Sequence, residues 1–84
     1  MHLSRDQFRL LSDANRKSSG TVSFKSNPTM KYQLAEAKAL EKTGLLTFVR
    51  SREAEDKHED GPTIKYSINT YEITDLGRKI INRY

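Results

Sequence analysis

The segment SREAEDKHEDGP, residues 51–62, restricts the fold of this 84-residue chain more than any other segment. Ala54 is its only apolar residue, and it ends in a glycine and a proline, so it cannot contribute to a core. The flanking segments LLTFVR (45–50) and TIKYSINTYEI (63–73) are rich in branched and aromatic residues, which is typical of strands. We therefore predict an antiparallel hairpin whose long, exposed and mobile loop is residues 51–62.

The N-terminal part of the chain predicts one helix and one short strand. Ser4 followed by Gln7 has the spacing of a capping box, and we expect a helix from Arg5 to about Asn15. A Ser-Ser-Gly sequence then ends the helix, and the branched and aromatic residues that follow at 21–24 indicate a very short strand.

A second helix is predicted over residues 29–43, because this segment is dense in strong helix formers, follows Pro28 and precedes Gly44. With about 100° between successive residues, one face is apolar and should pack on the core; it contains Met30, Leu34, Ala37 and Leu40. A second stripe beside it contains Lys31, Ala35, Lys38 and Lys42. Such a stripe is compatible with a row of phosphate contacts and also with an ordinary solvated lysine face.

The C-terminal segment predicts a third helix. Thr74 is a favourable N-cap for DLGRKIINRY, in which Leu76 and Ile80 are expected to face inward. The elements then follow the order α-β-α-β-β-α, which places the chain in the α+β class. With 84 residues we expect a single domain over 1–84, because a chain of this length cannot support two cores.

Composition argues against several functional classes. The chain has no cysteine and only two histidines, one near the terminus and one in the charged loop. We find no acid, base or nucleophile on a rigid element, so we expect no enzymatic activity, no cofactor, no metal site and no small-molecule substrate. No apolar segment is long enough for a membrane helix or a signal peptide, and we expect a cytoplasmic protein without a membrane partner.

Charge is unevenly distributed along the chain, whose formal net charge is +4. Residues 1–50 carry nine basic and four acidic side chains, whereas residues 51–62 carry two basic and five acidic ones. The predicted loop is therefore an acidic segment in a basic protein. A basic body suits nucleic acid or an acidic protein surface, although +4 is also an ordinary charge for solubility.

Two segments carry a family resemblance. ALEKTGLLTFVR resembles the end of a winged-helix recognition helix that continues through its glycine into the first wing strand. YEITDLGRKII is similar to the second wing strand and the C-terminal helix of small winged-helix regulators. The resemblance covers about residues 29–84 and implies a winged-helix-like domain with a two-stranded antiparallel wing hairpin. It also implies that helix 29–43 enters the DNA major groove, with residues 51–62 as the wing beside the phosphates.

The first functional hypothesis is a small winged-helix DNA-binding protein, a transcriptional regulator of the size seen in prophage proteins, whose partner is double-stranded DNA. Lysine and arginine side chains would contact phosphates, and Tyr32 would point toward base edges, with Gln33 and Glu36 as further candidates. The predicted nucleic-acid-binding residues are Lys31, Tyr32, Ala35, Lys38, Lys42, Arg16 and Lys17.

The second hypothesis is a winged-helix protein-interaction module, either a homodimer or an accessory protein, without DNA binding. Five carboxylates in the wing would repel phosphate, whereas they would suit a basic partner surface. The predicted partner-binding residues are Glu53, Glu55, Asp56, Glu59 and Asp60. Both hypotheses remain open at the level of sequence.

Overall fold

A computed structural model describes residues 2–84 and confirms the α+β class. It contains three helices and three strands. The strands form one antiparallel sheet, and the helices pack on it. No helix within residues 2–84 is long and apolar enough to cross a membrane. In chain order the elements are α1 (Arg5–Arg16), β1 (Thr21–Ser26), α2 (Tyr32–Lys42), β2 (Leu46–Asp56), β3 (Ile64–Ile73) and α3 (Asp75–Ile81).

The sheet has the order β1-β3-β2, so the last strand in sequence lies in the middle. Because β3 pairs with both neighbours, it determines which residues share a face. Val22 and Phe48 both pair with Tyr71, and Lys25 and Arg52 both pair with Ile68. A bulge between Phe48 and Arg50 shifts the register of β2 by one residue.

All three helices pack against one face of the sheet, which we call the helix side. The aromatic rings on this side pack around the fully buried Tyr71, with Phe24 stacked at 5.9 Å and Phe48 edge-on at 5.5 Å between ring centroids. Sheet residues on this side share one buried cluster with residues of every helix. That cluster is Leu3, Leu10, Leu11, Ala14, Val22, Phe24, Ala37, Leu40, Leu45, Leu46, Tyr71, Ile73 and Ile81.

The charged segment 51–62, predicted as a loop, is strand as far as Asp56, and this part of the prediction was wrong. Only seven residues, 57–63, connect β2 to β3. The prediction failed because it required apolar alternation for a strand. Here backbone hydrogen bonds to β3 hold the strand in the sheet. Its charged side chains remain exposed on both faces, as an edge strand permits.

The second helix begins at Tyr32, three residues later than predicted. Its late start follows from the Asn27 side chain, whose oxygen accepts hydrogen bonds from the backbone N–H groups of Thr29 and Met30 at 2.9 and 2.7 Å. An asparagine that bonds the following backbone in this way favours a turn over a helix. Met30 therefore lies outside α2 and is 48% exposed, so its assignment to the core was wrong.

Two other sequence-based details also need correction. The first strand continues to Ser26, because Asn69 in β3 donates to the buried Ser26 hydroxyl at 2.7 Å and holds this end of the strand in the sheet. Leu76, expected to face inward, is 46% exposed, whereas Ile80 does pack against the core.

Gly77 allows α3 to lie directly on the start of β2. A Cβ atom at this position would be 2.4 Å from the carbonyl oxygen of Leu45 and 2.7 Å from Ile73 Cγ1. Thr74 strengthens the same junction, since its hydroxyl donates to the Gly44 carbonyl at 2.6 Å and accepts from the Gly77 N–H at 3.0 Å. The C-terminal helix is therefore joined to the end of α2 through backbone contacts.

We expect Gly77→Ala to lower the free energy of unfolding by about 1–3 kcal/mol, because the added methyl group overpacks a backbone contact. Helix propensity alone predicts the opposite sign, a gain of roughly 1 kcal/mol. Urea denaturation followed by circular dichroism measures the difference. Lys79→Ala, at an exposed position of the same helix, is the control and should stay within about 0.5 kcal/mol. A stabilised Gly77→Ala variant would contradict the close packing.

Candidate nucleic-acid interface

The outer face of α2 carries the predicted basic stripe. Successive helical residues are rotated by about 100°, so Ala35 lies about 140 to 160° from the buried Ala37 and Leu40. Lys38 and Lys42 are exposed on the same side, and the exposed Lys31 caps the helix. The structure thus brings together four of the predicted residues. We call them the lysine face: Lys31, Ala35, Lys38 and Lys42.

Tyr32 lies beside the lysine face and is 64% exposed, but its hydroxyl is engaged with α1. It donates a hydrogen bond to Asp6 Oδ2 at 2.9 Å. This bond, together with the charge of Asp6, raises the pKa of Tyr32 above its usual value of about 10. At neutral pH the hydroxyl is therefore protonated and points at α1, which differs from the expected direction toward base edges.

The other polar side chains of α2 are also turned away from the lysine face. Glu36 accepts a hydrogen bond from the Ser4 hydroxyl at 3.1 Å, and this bond joins α2 to the N-cap of α1. Gln33 lines a depression together with Phe24 of β1. Glu41 lies near enough to Tyr71 for its charge to contribute to the raised pKa of that tyrosine. The outer face therefore keeps only lysine and alanine side chains, with Tyr32 at its edge.

Arg16 and Lys17 are not part of the lysine face. They lie at the far end of α1, away from the contacts that join α1 to α2. The hydrogen bonds from α1 to α2 come from Ser4 and Asp6, at the start of α1. Arg16 is ten residues further along, about 15 Å at 1.5 Å per residue. It forms an ion pair with Asp13 one turn earlier. The two residues are exposed, but they form a separate basic site at the end of α1.

Three of the five predicted partner-binding carboxylates have a neighbouring group. Glu53 accepts from the Ser67 hydroxyl at 2.9 Å, and Glu55 pairs with Lys57 at 3.6 Å. Asp56 accepts from the Tyr66 hydroxyl at 3.2 Å and lies 3.9 Å from the Lys25 ammonium group. The negative charges of the three carboxylates that lie on β2 are therefore partly compensated.

The tip of the hairpin carries the remaining acidic charge. Glu59 and Asp60 lie in the seven-residue connection, where both are exposed, and neither pairs with another side chain within residues 2–84. The uncompensated acidic charge is therefore concentrated at these two residues rather than spread over the whole segment.

Charge on β2 is partly separated between its two faces, a feature the sequence interpretation missed. Directly paired residues share a face, so Glu53 and Glu55 lie on the helix side with Ser67 and Lys65. Arg50 and Arg52 lie on the opposite face with Asp56, and there Arg52 and Lys25 flank Ile68. Alternation within VRSREAED could have revealed this separation, had the segment been interpreted as a strand.

No protein-family model, curated protein or solved structure matches this chain. The geometry of the described residues therefore carries the functional argument. Within residues 2–84 no group of three histidine or acidic side chains is arranged to hold a metal ion.

The bond between Tyr32 and Asp6 predicts a pH effect. We expect Asp6→Ala to lower the pKa of Tyr32 toward about 10, because both the hydrogen bond and the carboxylate charge are removed. The neutral tyrosine is favoured by folding, so its stabilising contribution is present below about pH 10 and is lost as pH rises through the folded-state pKa. Carbon-13 NMR of Cζ-labelled tyrosine measures the pKa of Tyr32 in the native protein and in the variant.

Tyr71 provides an internal control for this titration. Its pKa is raised chiefly by burial, and should not move in Asp6→Ala. An unchanged Tyr32 titration in the variant would contradict the described contact.

Proposed function

We propose that this chain is a winged-helix protein that binds double-stranded DNA through α2, in the manner of a small transcriptional regulator. The observation that carries the proposal is the lysine face, which places three ammonium groups on the exposed side of one helix with a small alanine among them. Ammonium groups bind phosphates, and alanine lets a helix approach a groove closely.

The arrangement around α2 supports this proposal. Its inner face is fixed by Ala37 and Leu40 in the core, and its first turns are held by two hydrogen bonds to α1. The lysine face is therefore presented by a rigid element. The hairpin β2–β3 begins just beyond the end of α2, and the long dimension of the molecule reaches 49 Å. In our proposal this hairpin is the wing beside the inserted helix.

The chain departs from a winged helix at residues 27–31. There a turn built by Asn27 precedes α2, where a winged helix carries a separate short helix. In our proposal α1 takes over the supporting role of that helix, because it is α1 that contacts the first turn of α2 through Ser4 and Asp6.

Replacing Lys31, Lys38 and Lys42 together by alanine should weaken binding to duplex DNA about equally for all sequences. If each lysine neutralises one phosphate, the slope of log K against log salt should become shallower by about 2.7, at roughly 0.9 per contact. Fluorescence anisotropy with a random 20-base-pair duplex, measured between low and moderate salt, gives both the affinity and the slope.

The matched control is Lys25→Ala with Lys79→Ala and Arg83→Ala, which removes the same charge from positions outside α2. It should preserve most of the salt slope. Equal losses in the two triple variants would mean that the protein binds DNA through its overall charge, and the proposed interface would be wrong.

A protein-interaction module remains a second candidate function. The observation that favours it is the uncompensated acidic tip, since Glu59 and Asp60 are exposed and pair with no other side chain in residues 2–84. A basic protein surface would compensate these charges, whereas phosphate would repel them.

The helix side of the hairpin distinguishes the two candidates. If DNA lies on α2 with the hairpin beside it, Glu53→Gln with Glu55→Gln should strengthen DNA binding at low salt by severalfold, because repulsion is relieved. Asp13→Asn with Asp75→Asn removes the same charge outside the hairpin and should have a smaller effect. The same anisotropy assay measures both. Equal effects would place the hairpin away from the phosphates and favour the second candidate.

A further inference from the structure

The outer edge of β1 pairs with no other strand within residues 2–84. The sheet order β1-β3-β2 places β1 at the rim, where β3 covers only its inner edge. The Ile73 N–H donates to the Gly20 carbonyl at 2.8 Å, so Gly20 and every second residue after it bond to β3. The backbone N–H and C=O groups of Thr21, Ser23 and Lys25 therefore point outward from the sheet.

The other edge strand, β2, has features that keep an edge unpaired. It is bulged between Phe48 and Arg50, and charged side chains lie on both of its faces. In contrast, β1 pairs with β3 without a shift of register, contains no proline and has one charged residue, Lys25. Of the two edges, that of β1 is open to a further strand.

We infer that a second copy of this chain pairs with β1 in antiparallel orientation and joins the two three-stranded sheets into one. Centred on Ser23, this pairing sets Thr21 opposite Lys25 of the second copy, and Val22 opposite its Phe24. No like charges face each other. The two-fold axis is perpendicular to the sheet, so the helices of both copies lie on the same face.

The flank of α1 beside this edge complements itself when the helix is reversed. At 100° per residue, an arc of about 80° on this flank contains Asp6, Arg9, Asp13 and Arg16. An antiparallel copy centred on Leu11 sets Arg9 opposite Asp13 of the second copy. The same alignment sets Asp6 opposite Arg16. Each pair has opposite charges, and the two-fold symmetry repeats it.

One axis serves both the strand and the helix. A depression of about 300 Å³ is lined by Ser23 together with Arg9 and Asp13, so the centre of β1 lies beside the charged flank of α1. Asp6 and Glu36 also line this depression, which gives it more acidic than basic side chains. Its other lining residues are uncharged: Leu10, Val22 and Gln33. Arginine side chains of a second copy would compensate the excess acidic charge.

Sedimentation velocity without DNA tests the dimer separately from the proposed DNA-binding function. One short strand and one helix flank make a small interface, so we expect a concentration-dependent equilibrium rather than a permanent dimer. Between about 10 µM and 1 mM the mean mass of the native protein should rise from that of a monomer toward that of a dimer.

Ser23→Pro should remain monomeric over the same concentrations. Proline removes the outward N–H and places its ring at the centre of the strand pair, whereas the bonds to β3 are kept because they come from the neighbouring residues. The matched control is Ser23→Ala, which also loses the hydroxyl contact with Thr70 but keeps the N–H, and it should dimerise like the native protein. Circular dichroism checks that both variants are folded.

Charge reversal on α1 gives a second test that leaves the strand unchanged. Arg9→Asp and Asp13→Arg should each weaken dimerisation about tenfold or more, because two attractions become two repulsions. An equimolar mixture of these two variants should recover a dimer, since every pair in the mixed dimer again has opposite charges. Lys79→Asp and Glu59→Arg make the same charge changes outside α1 and should each dimerise like the native protein.

Three results would overturn this inference in whole or in part. A native protein that stays monomeric up to about 1 mM excludes the dimer. A folded Ser23→Pro variant that dimerises like the native protein excludes the edge of β1 as the interface. Charge-reversed variants that dimerise normally, or that do not recover on mixing, exclude the antiparallel alignment of α1.

Discussion

The double pairing of β3 is the constraint on which the rest of this structure depends. As the central strand it pairs with β1 and β2, so one strand determines which side chains face the helices and which face away. Tyr71 lies at the middle of the helix side, between Phe24 and Phe48, and the helices cover the cluster around it. The position of α2 follows, since Ala37 and Leu40 must lie on this cluster and the lysine face must then point outward.

Local sequence signals predicted the helix ends that depend on local bonds. The capping box of Ser4 and Gln7 forms, and Thr74 caps α3, because both depend on groups three residues apart. Elements that form through contacts with residues distant in sequence could not be predicted from local signals. The strand from Ser51 to Asp56 exists because β3 pairs with it, and no residue inside the segment encodes that pairing. The prediction of where α2 begins failed for a local reason, since the side chain of Asn27 competes with the helix for the same backbone N–H groups.

The candidate site shows the same division. Helical periodicity was sufficient to group Lys31, Ala35, Lys38 and Lys42, because these positions share a face whatever the helix packs against. The engagement of Tyr32 with Asp6, and of Glu36 with Ser4, required the packing of two helices that are far apart in sequence. These contacts change the chemistry of the site, because they remove the expected hydrogen-bonding groups and leave a surface of ammonium and methyl groups.

The central claim is that the outer face of α2 is the surface that meets DNA. Nitrogen-15 NMR of the native protein during titration with a random duplex tests it most directly, because each backbone amide reports on its own surroundings. The account predicts that the largest shifts fall within residues 31–42, with smaller shifts along the hairpin, and that they diminish as salt is added. Shifts confined to the hairpin tip at residues 57–63, or no shifts at low salt, would contradict it.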